Sequence, residues 1–336
     1  MKPWLAPLVA LLAVSSAQAA APFGPACQSL VPAIVGGPTP GKSSDTLLLR
    51  WLGTSNYELS WKGRVFLFDA FFDRPGRTRP LGFTVDQIKR ADVIFLGHGH
   101  YDHISDIAPV AKQTGALVVG APSAIEAAIR MGVPQSQTRI VTGGETLTFG
   151  DVRVETALAR HSTIQAGLFD AYRQLYAVDG LGPLTPQQAA QAAEVAKRGS
   201  SSPDIVEKGV IAYAVVLPSG FSVVAIDTAG PVTEGDQALA KKLGRADVAI
   251  LAYQPHAVAE RQIQDGWPLI ELFNPKLYLP SHHDHIWGAW LDLGLEPLFQ
   301  KIRDEKPQTR FVAPLLRSAL CIGTTGPTRG ELKVKY

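Results

Sequence analysis

Apolar residues fall in short runs along most of this chain, and three of these runs lie close together: Leu47 to Leu52, Tyr57 to Trp61 and Val65 to Phe68. Gly53 and the Lys62–Gly63 turn separate them, which predicts an antiparallel meander of strands. Val93 to Leu96 predicts another strand. Beyond it, helical spacing at Ile104 to Gln113 and Ser123 to Met131 flanks a strand at Leu117 to Val119. Leu147 to Phe149 and Val152 to Leu158 predict a hairpin around Gly150 and Asp151, whose second strand delivers His161. The stretch from Ser162 to Lys208 breaks this rhythm. It holds a Thr185–Pro186 helix start, an alanine-rich helix running to Arg198 and a loop from Gly199 to Pro203, and so reads as an insertion at about 162–208. Strand-like runs resume at Ile211 to Leu217, Phe221 to Ile226, Val248 to Leu251 and Leu277 to Leu279, with helices at Gln237 to Leu243 and Pro297 to Arg303.

Both halves mix a group of strands with surface helices, a pattern that fits two sheets packed face to face with helices outside. Composition leaves room for that core: of 336 residues, 46% are hydrophobic and 18% charged. The formal net charge is only +2 and the Lys and Arg residues are scattered, so no basic stripe points to nucleic acid.

The N-terminus changes the expected compartment. Met1 and Lys2 precede an apolar run from Trp4 to Val14 and then small residues through Ala20, the layout of a secretory signal cleaved after Ala19. The run is too short to span a bilayer, which needs about 20 apolar residues. The expected organisation is a signal peptide at 1–19, a lead-in at 20–45 and one domain from 46 to 336, in a periplasmic or secreted protein with no stable membrane span. In an oxidising compartment Cys27 and Cys321 have two readings: one bridge tying both ends of the chain to the domain, or two buried thiols.

The densest chemistry is the run His98, Gly99, His100, Tyr101, Asp102, His103, directly after the Val93 to Leu96 strand. Alternating histidines in a loop turn two imidazoles toward one point, while Asp102 and His103 face a second point nearby. Further on, His161, Asp227 and a group from His282 to His285 each follow a predicted strand. Singly these have plainer readings: His161 as a loop stabiliser, Asp227 as the N-cap of a following helix.

The motif His98, His100, Asp102, His103 resembles the His-x-His-x-Asp-His signature of the metallo-β-lactamase superfamily. The family's other elements also occur in order, with Asp69, His161, Asp227 and His282 each after a strand. The resemblance implies an α+β fold, a four-layer αββα sandwich, and an active site holding two divalent metal ions, zinc foremost with iron or manganese as alternatives. Carried onto this chain, it puts His98, His100 and His161 on one ion, Asp102, His103 and His282 on the other, and Asp227 between them. His283 is the rival to His282. Asp69 would orient the histidine loop without touching metal, and Ala70 follows it where many relatives have proline.

The implied activity is hydrolysis of a small-molecule substrate, with Asp102 orienting the attacking water and Tyr253 or His256 as candidate proton donors to the leaving group. Lactonases and phosphodiesterases of the family fit the layout better than β-lactamases, which generally lack the bridging Asp and in some cases use a cysteine ligand. A non-catalytic metal-binding protein is the competing class. The insertion is expected to wall the site or to form a homodimer contact, with Phe169, Tyr172, Leu175 and Tyr176 as its apolar group.

Overall fold

The computed structural model describes residues 25–74, 78–162, 184–199, 209–253, 259–284, 294–325 and 334–335. The signal segment 1–19 and most of the insertion, with Phe169, Tyr172, Leu175 and Tyr176, lie outside them.

The chain opens with short turns at Pro25–Cys27 and Ala33–Val35 and then enters β1 (Thr46–Trp51), β2 (Tyr57–Trp61) and β3 (Arg64–Phe68), the expected antiparallel meander. β4 (Val93–Phe95), β5 (Leu117–Gly120) and β6 (Thr138–Ile140) extend it in parallel. A second group follows: β7 (Thr146–Phe149), β8 (Val152–Ala159), β9 (Val210–Val216), β10 (Ser222–Ile226), β11 (Val248–Ala252), β12 (Leu277–Ser281) and β13 (Arg310–Phe311). β14 (Ala319–Gly323) and β15 (Val334–Lys335) then return to the first group. Among the described residues these make two mixed sheets, ordered β15-β14-β1-β2-β3-β4-β5-β6 and β13-β12-β11-β10-β9-β8-β7.

Strand alternation explains the layers. Leu47, Leu49, Trp51, Phe66 and Phe95 of the first sheet meet Val154, Tyr213, Val223 and Ile250 of the second in one buried cluster between the sheets. The opposite face of the first sheet, through Val65, Leu67, Ile94 and Val118, packs on Ile107, Val110, Ile125 and Ala128 from helices Ile107–Thr114 and Pro122–Arg130. On the far side of the second sheet, Ala212, Val224, Ala249 and Leu251 pack on helices Glu234–Leu243, Ala259–Phe273 and Glu296–Glu305. The result is helix, sheet, sheet, helix. Among the described residues no helix is long and apolar enough to cross a membrane.

The outer face of β1 is closed by the lead-in rather than by a helix. Arg50 and Glu58 stand opposite each other on β1 and β2, fully buried and 3.2 Å apart. Arg50 also donates to the carbonyls of Ser29 (2.7 Å), Arg317 (2.8 Å) and Ala26 (3.1 Å), and the Glu58 carboxylate accepts from the Ile34 N–H at 2.9 Å. Beside them Cys27 and Cys321 form a disulfide, with Cα atoms 5.8 Å apart and a sequence separation of 294. Of the two readings for these cysteines, the structure has the bridge. Changing both to serine is expected to cost about 2–4 kcal/mol, because so long a loop holds much entropy when open; a denaturant melt of the double variant against the oxidised wild type measures it.

Candidate metal centre

The parallel strands converge on one edge, and the candidate residues come off their ends. β3 ends at Asp69 and β4 at the histidine run. β8 and β10 are both antiparallel to β9, so they run the same way and deliver His161 and Asp227 together. β12, parallel to β11 and β10, ends at His282. The edges of the two sheets are tied at this point. The Ile211 N–H donates to the Gly97 carbonyl at 2.8 Å, the Tyr213 hydroxyl to the Leu96 carbonyl at 2.8 Å, the Tyr57 hydroxyl to the Pro280 carbonyl at 2.8 Å, and the His282 N–H to the Thr54 carbonyl at 2.7 Å.

One local difference from the sequence reading concerns the motif itself. The expected helix at Ile104 to Gln113 is divided into a single turn, Tyr101–Ile104, and the helix Ile107–Thr114, so Asp102 and His103 sit on a helical turn of their own. The break falls where the Asp106 N–H donates to the Ala70 carbonyl at 2.9 Å and the Asp106 carboxylate accepts from the N–H groups of Phe72 (2.6 Å) and Asp73 (2.8 Å).

All seven residues assigned by resemblance are brought together. His98, His100 and His161 make one cluster of donor atoms, Asp102, His103 and His282 a second, and Asp227 joins His98 and His103 in a third that overlaps both. The His98, His100 and His161 rings stand edge to face with centroids 4.6 to 4.8 Å apart. The Asp227 Oδ2 lies 2.7 Å from His98 Nδ1 and 3.1 Å from His103 Nδ1, one histidine of each set. Asp227 is not a helix cap: that position, before Glu234–Leu243, belongs to Thr233, paired reciprocally with Asp236. Of the two adjacent histidines, His282 reaches the cluster, its Nε2 3.1 Å from Asp102 Oδ2, whereas His283 stacks on Trp51 at 4.2 Å.

The surroundings fix the rings. The His161 Nδ1 donates to the Ser162 carbonyl at 2.7 Å, which leaves its Nε2 lone pair for the cluster. Asp69, in the left-handed region at φ 61°, accepts from the Gly97 N–H (3.0 Å), the Ser55 hydroxyl (2.5 Å) and His103 Nδ1 (2.8 Å). It orients the loop from outside the donor clusters. His282, also left-handed at φ 57°, is held by Thr54, whose own N–H donates to Asp284 at 2.9 Å. Asp284 in turn pairs with the buried Arg74. Sequence reasoning missed Thr54, Ser55 and Arg74, none of which carries a local motif, whereas Asp284 lies in the His282 to His285 group and takes a supporting place there.

Two proposed proton donors fare differently. Tyr253 is fully buried between the second sheet and its helices, donates its hydroxyl to the Gly294 carbonyl at 3.1 Å, and is pushed up to about 12 by burial. Its side chain faces the helix layer, away from the donor clusters, because it follows Leu251 on that face; it is therefore not brought to the site. His256 lies outside the described residues.

Charge in the cluster suits a cation. Burial, then the neighbouring imidazoles, hold His98 well below the ordinary histidine range and His161 down at about 2, so both present lone pairs at neutral pH. Burial works against a charge on His103, yet Asp102, Asp69 and Asp227 outweigh it and push His103 up to about 10. Burial likewise opposes ionisation of Asp102, but His103 and His282 hold it well below the usual carboxylate range. Asp227 Oδ1 and His282 Nδ1 are buried with no hydrogen-bond partner among the described residues. Imidazoles held neutral at His98 and His161, a carboxylate held ionised at Asp102 and the Asp227 carboxylate between the two sets are donors of the kind that divalent zinc, iron or manganese takes.

Known proteins resemble the chain in both sequence and fold. Residues 64–177 match the family model described as a β-lactamase superfamily domain. A UPF0173 metal-dependent hydrolase of Chloroflexus aurantiacus is 36% identical over 103 residues, 30% of this chain and 42% of that protein. One from Solibacter usitatus is 30% identical over 135 residues, 40% of this chain and 55% of that protein. The chain thus spans about half the length of the curated relatives it matches. Among solved structures, Igni18, a metallo hydrolase from the hyperthermophilic archaeon Ignicoccus hospitalis, superposes with a TM-score of 0.57 at 16% identity, covering 82% of this chain and 98% of that one. At that identity the likeness carries the fold, the αββα sandwich expected from the sequence.

Proposed function

We propose that the chain is a member of the metallo-β-lactamase superfamily, as the match of residues 64–177 supports, and an exported, dinuclear metal-dependent hydrolase of a small ester, lactone or phosphodiester. The observation that carries this reading is the overlap of donor clusters: two sets of three residues, with Asp227 against one histidine of each. A single ion would need only one set.

Two divalent ions held there would lower the pKa of a shared water and polarise the oxygen of the bond to be cut. The chain's own residues do the rest. Asp102, kept ionised by His103 and His282, is placed to orient the water and hold its proton. His100 is the partly exposed member of the first set and marks the side from which substrate enters. The Asp69 and Ser55 pair holds the His103 ring by its Nδ1, which leaves Nε2, 3.7 Å from Asp102 Oδ2, for the second set, and the Thr54 carbonyl holds the His282 backbone.

Export is supported by the signal-like N-terminus and by the Cys27–Cys321 bridge, a bond at home in an oxidising compartment. Against β-lactam hydrolysis stand the presence of Asp227 and the use of both cysteines in that bridge, far from the cluster. The test is a panel of lactones, phosphodiesters, carboxylic esters and β-lactams. Turnover of one of the first three classes that stops with chelator and returns with zinc is expected; full metal occupancy without turnover of any would favour a non-catalytic metal-binding protein.

A further inference from the structure

The insertion leaves the site at His161 and comes back to it. Its described part is the helix Pro186–Ala196, started by Thr185, whose hydroxyl accepts from the Gln188 N–H at 3.3 Å, and followed by Lys197, Arg198 and Gly199. This end packs beside the Tyr101–Ile104 turn. The approach is backbone on backbone: a methyl group on Gly199 would stand 2.2 Å from the Tyr101 nitrogen and 2.4 Å from its Cα. Next to it the Arg198 guanidinium lies 3.1 Å from the Asp73 carboxylate and 3.6 Å from that of Asp106. Asp106 is buried, accepts from the N–H groups of Phe72 and Asp73, and donates its own N–H to Ala70; the Ala70 N–H donates to the His103 carbonyl at 2.7 Å. One side chain and one glycine of the insertion therefore bear on the turn that carries Asp102 and His103, from both its backbone and its hydrogen-bonded support.

A single helical turn cannot hold itself, since nucleation costs more than its one or two hydrogen bonds return. We propose that Arg198 and Gly199 form a clamp through which the insertion positions the Tyr101–Ile104 turn, which makes them positioning residues for the second metal set. This rests on the metal reading of that set. Coupling of this kind is reciprocal: ions that hold Asp102 and His103 also hold the insertion helix in place.

Hydrogen exchange and zinc titration against a chromophoric chelator, on the full chain carrying Gly199→Ala or the milder Arg198→Gln, test the clamp. Without zinc, the Tyr101–Ile104 amides of Gly199→Ala are expected to exchange at least about fivefold faster than wild type. Zinc should bind both variants about tenfold more weakly, the usual cost of disturbing a ligand's support. Zinc should also slow exchange in Pro186–Ala196 in wild type and less so in the variants. Exchange and affinity unchanged in both variants would overturn the clamp. A wild-type chain that binds no zinc would overturn the metal reading instead, while the zinc-free exchange still reports on the clamp.

Discussion

Asp227→Ala is expected to remove at least one metal ion per chain and to cut hydrolysis by at least about a thousandfold, well beyond the 10- to 100-fold cost of losing a residue that only supports a ligand. The reason lies in its position. Asp227 Oδ2 is within 3.1 Å of one histidine from each set, and Oδ1 is buried with no hydrogen-bond partner among the described residues. With the carboxylate gone, two dications would face each other with no anion between them and His103 would lose one of the three carboxylates that favour positive charge around it. The alanine also takes a hydrogen-bond partner from the buried His98 and His103, so a denaturant melt of the variant accompanies the metal count. Elemental analysis and the chelator-sensitive rate read the effect directly, and a folded variant with two ions and full activity would remove Asp227 from the centre.

Gly97→Ala should have the second largest effect, although Gly97 contributes no side chain to the site. A methyl there would lie 1.9 Å from Asp227 Oδ2, 2.1 Å from its Cγ and 2.5 Å from Oδ1. Gly97 is outside the left-handed region, so the need for glycine is one of space and not of backbone freedom. The Asp227 carboxylate cannot simply swing aside without leaving His98 and His103, and the Gly97 backbone is pinned by Asp69 below and Ile211 across the sheets. The expected cost is about 1–3 kcal/mol of stability from overpacking, together with about a hundredfold weaker metal binding. Denaturant melts and zinc competition titrations separate the two. A variant with wild-type metal affinity would show that Asp227 has freedom the structure denies it.

These two residues illustrate what was legible in the sequence. Asp227 was found because it follows a strand and holds the family's order relative to His98, and the same reasoning located His161 and His282 without any local motif as dense as the histidine run. The meander, the two hairpin strands before His161 and the parallel strands β10 to β12 were legible because their apolar runs are bounded by Gly, Pro or charged turns. The helix Ala259–Phe273 was not assigned, since Pro268 and Gly266 punctuate its interior although Trp267, Ile270 and Phe273 share a buried face. β13, β14 and β15 are two to five residues long, and β14 gains its partner β1 only across more than 260 residues. Gly97 against Asp227, Gly199 against Tyr101 and Asp284 against Thr54 are likewise contacts between distant segments, which no window along the chain can show. Tyr253 was misplaced for a related reason: following a strand toward the site does not fix which face its side chain takes.

The central claim is that one folded chain holds two metal ions between its sheets. Native mass spectrometry of the protein purified without chelator and supplied with zinc, iron or manganese, paired with elemental analysis, measures this most directly. Two ions per chain are predicted, falling to one or none in Asp227→Ala; a folded wild-type chain that retains one ion or none would contradict the account.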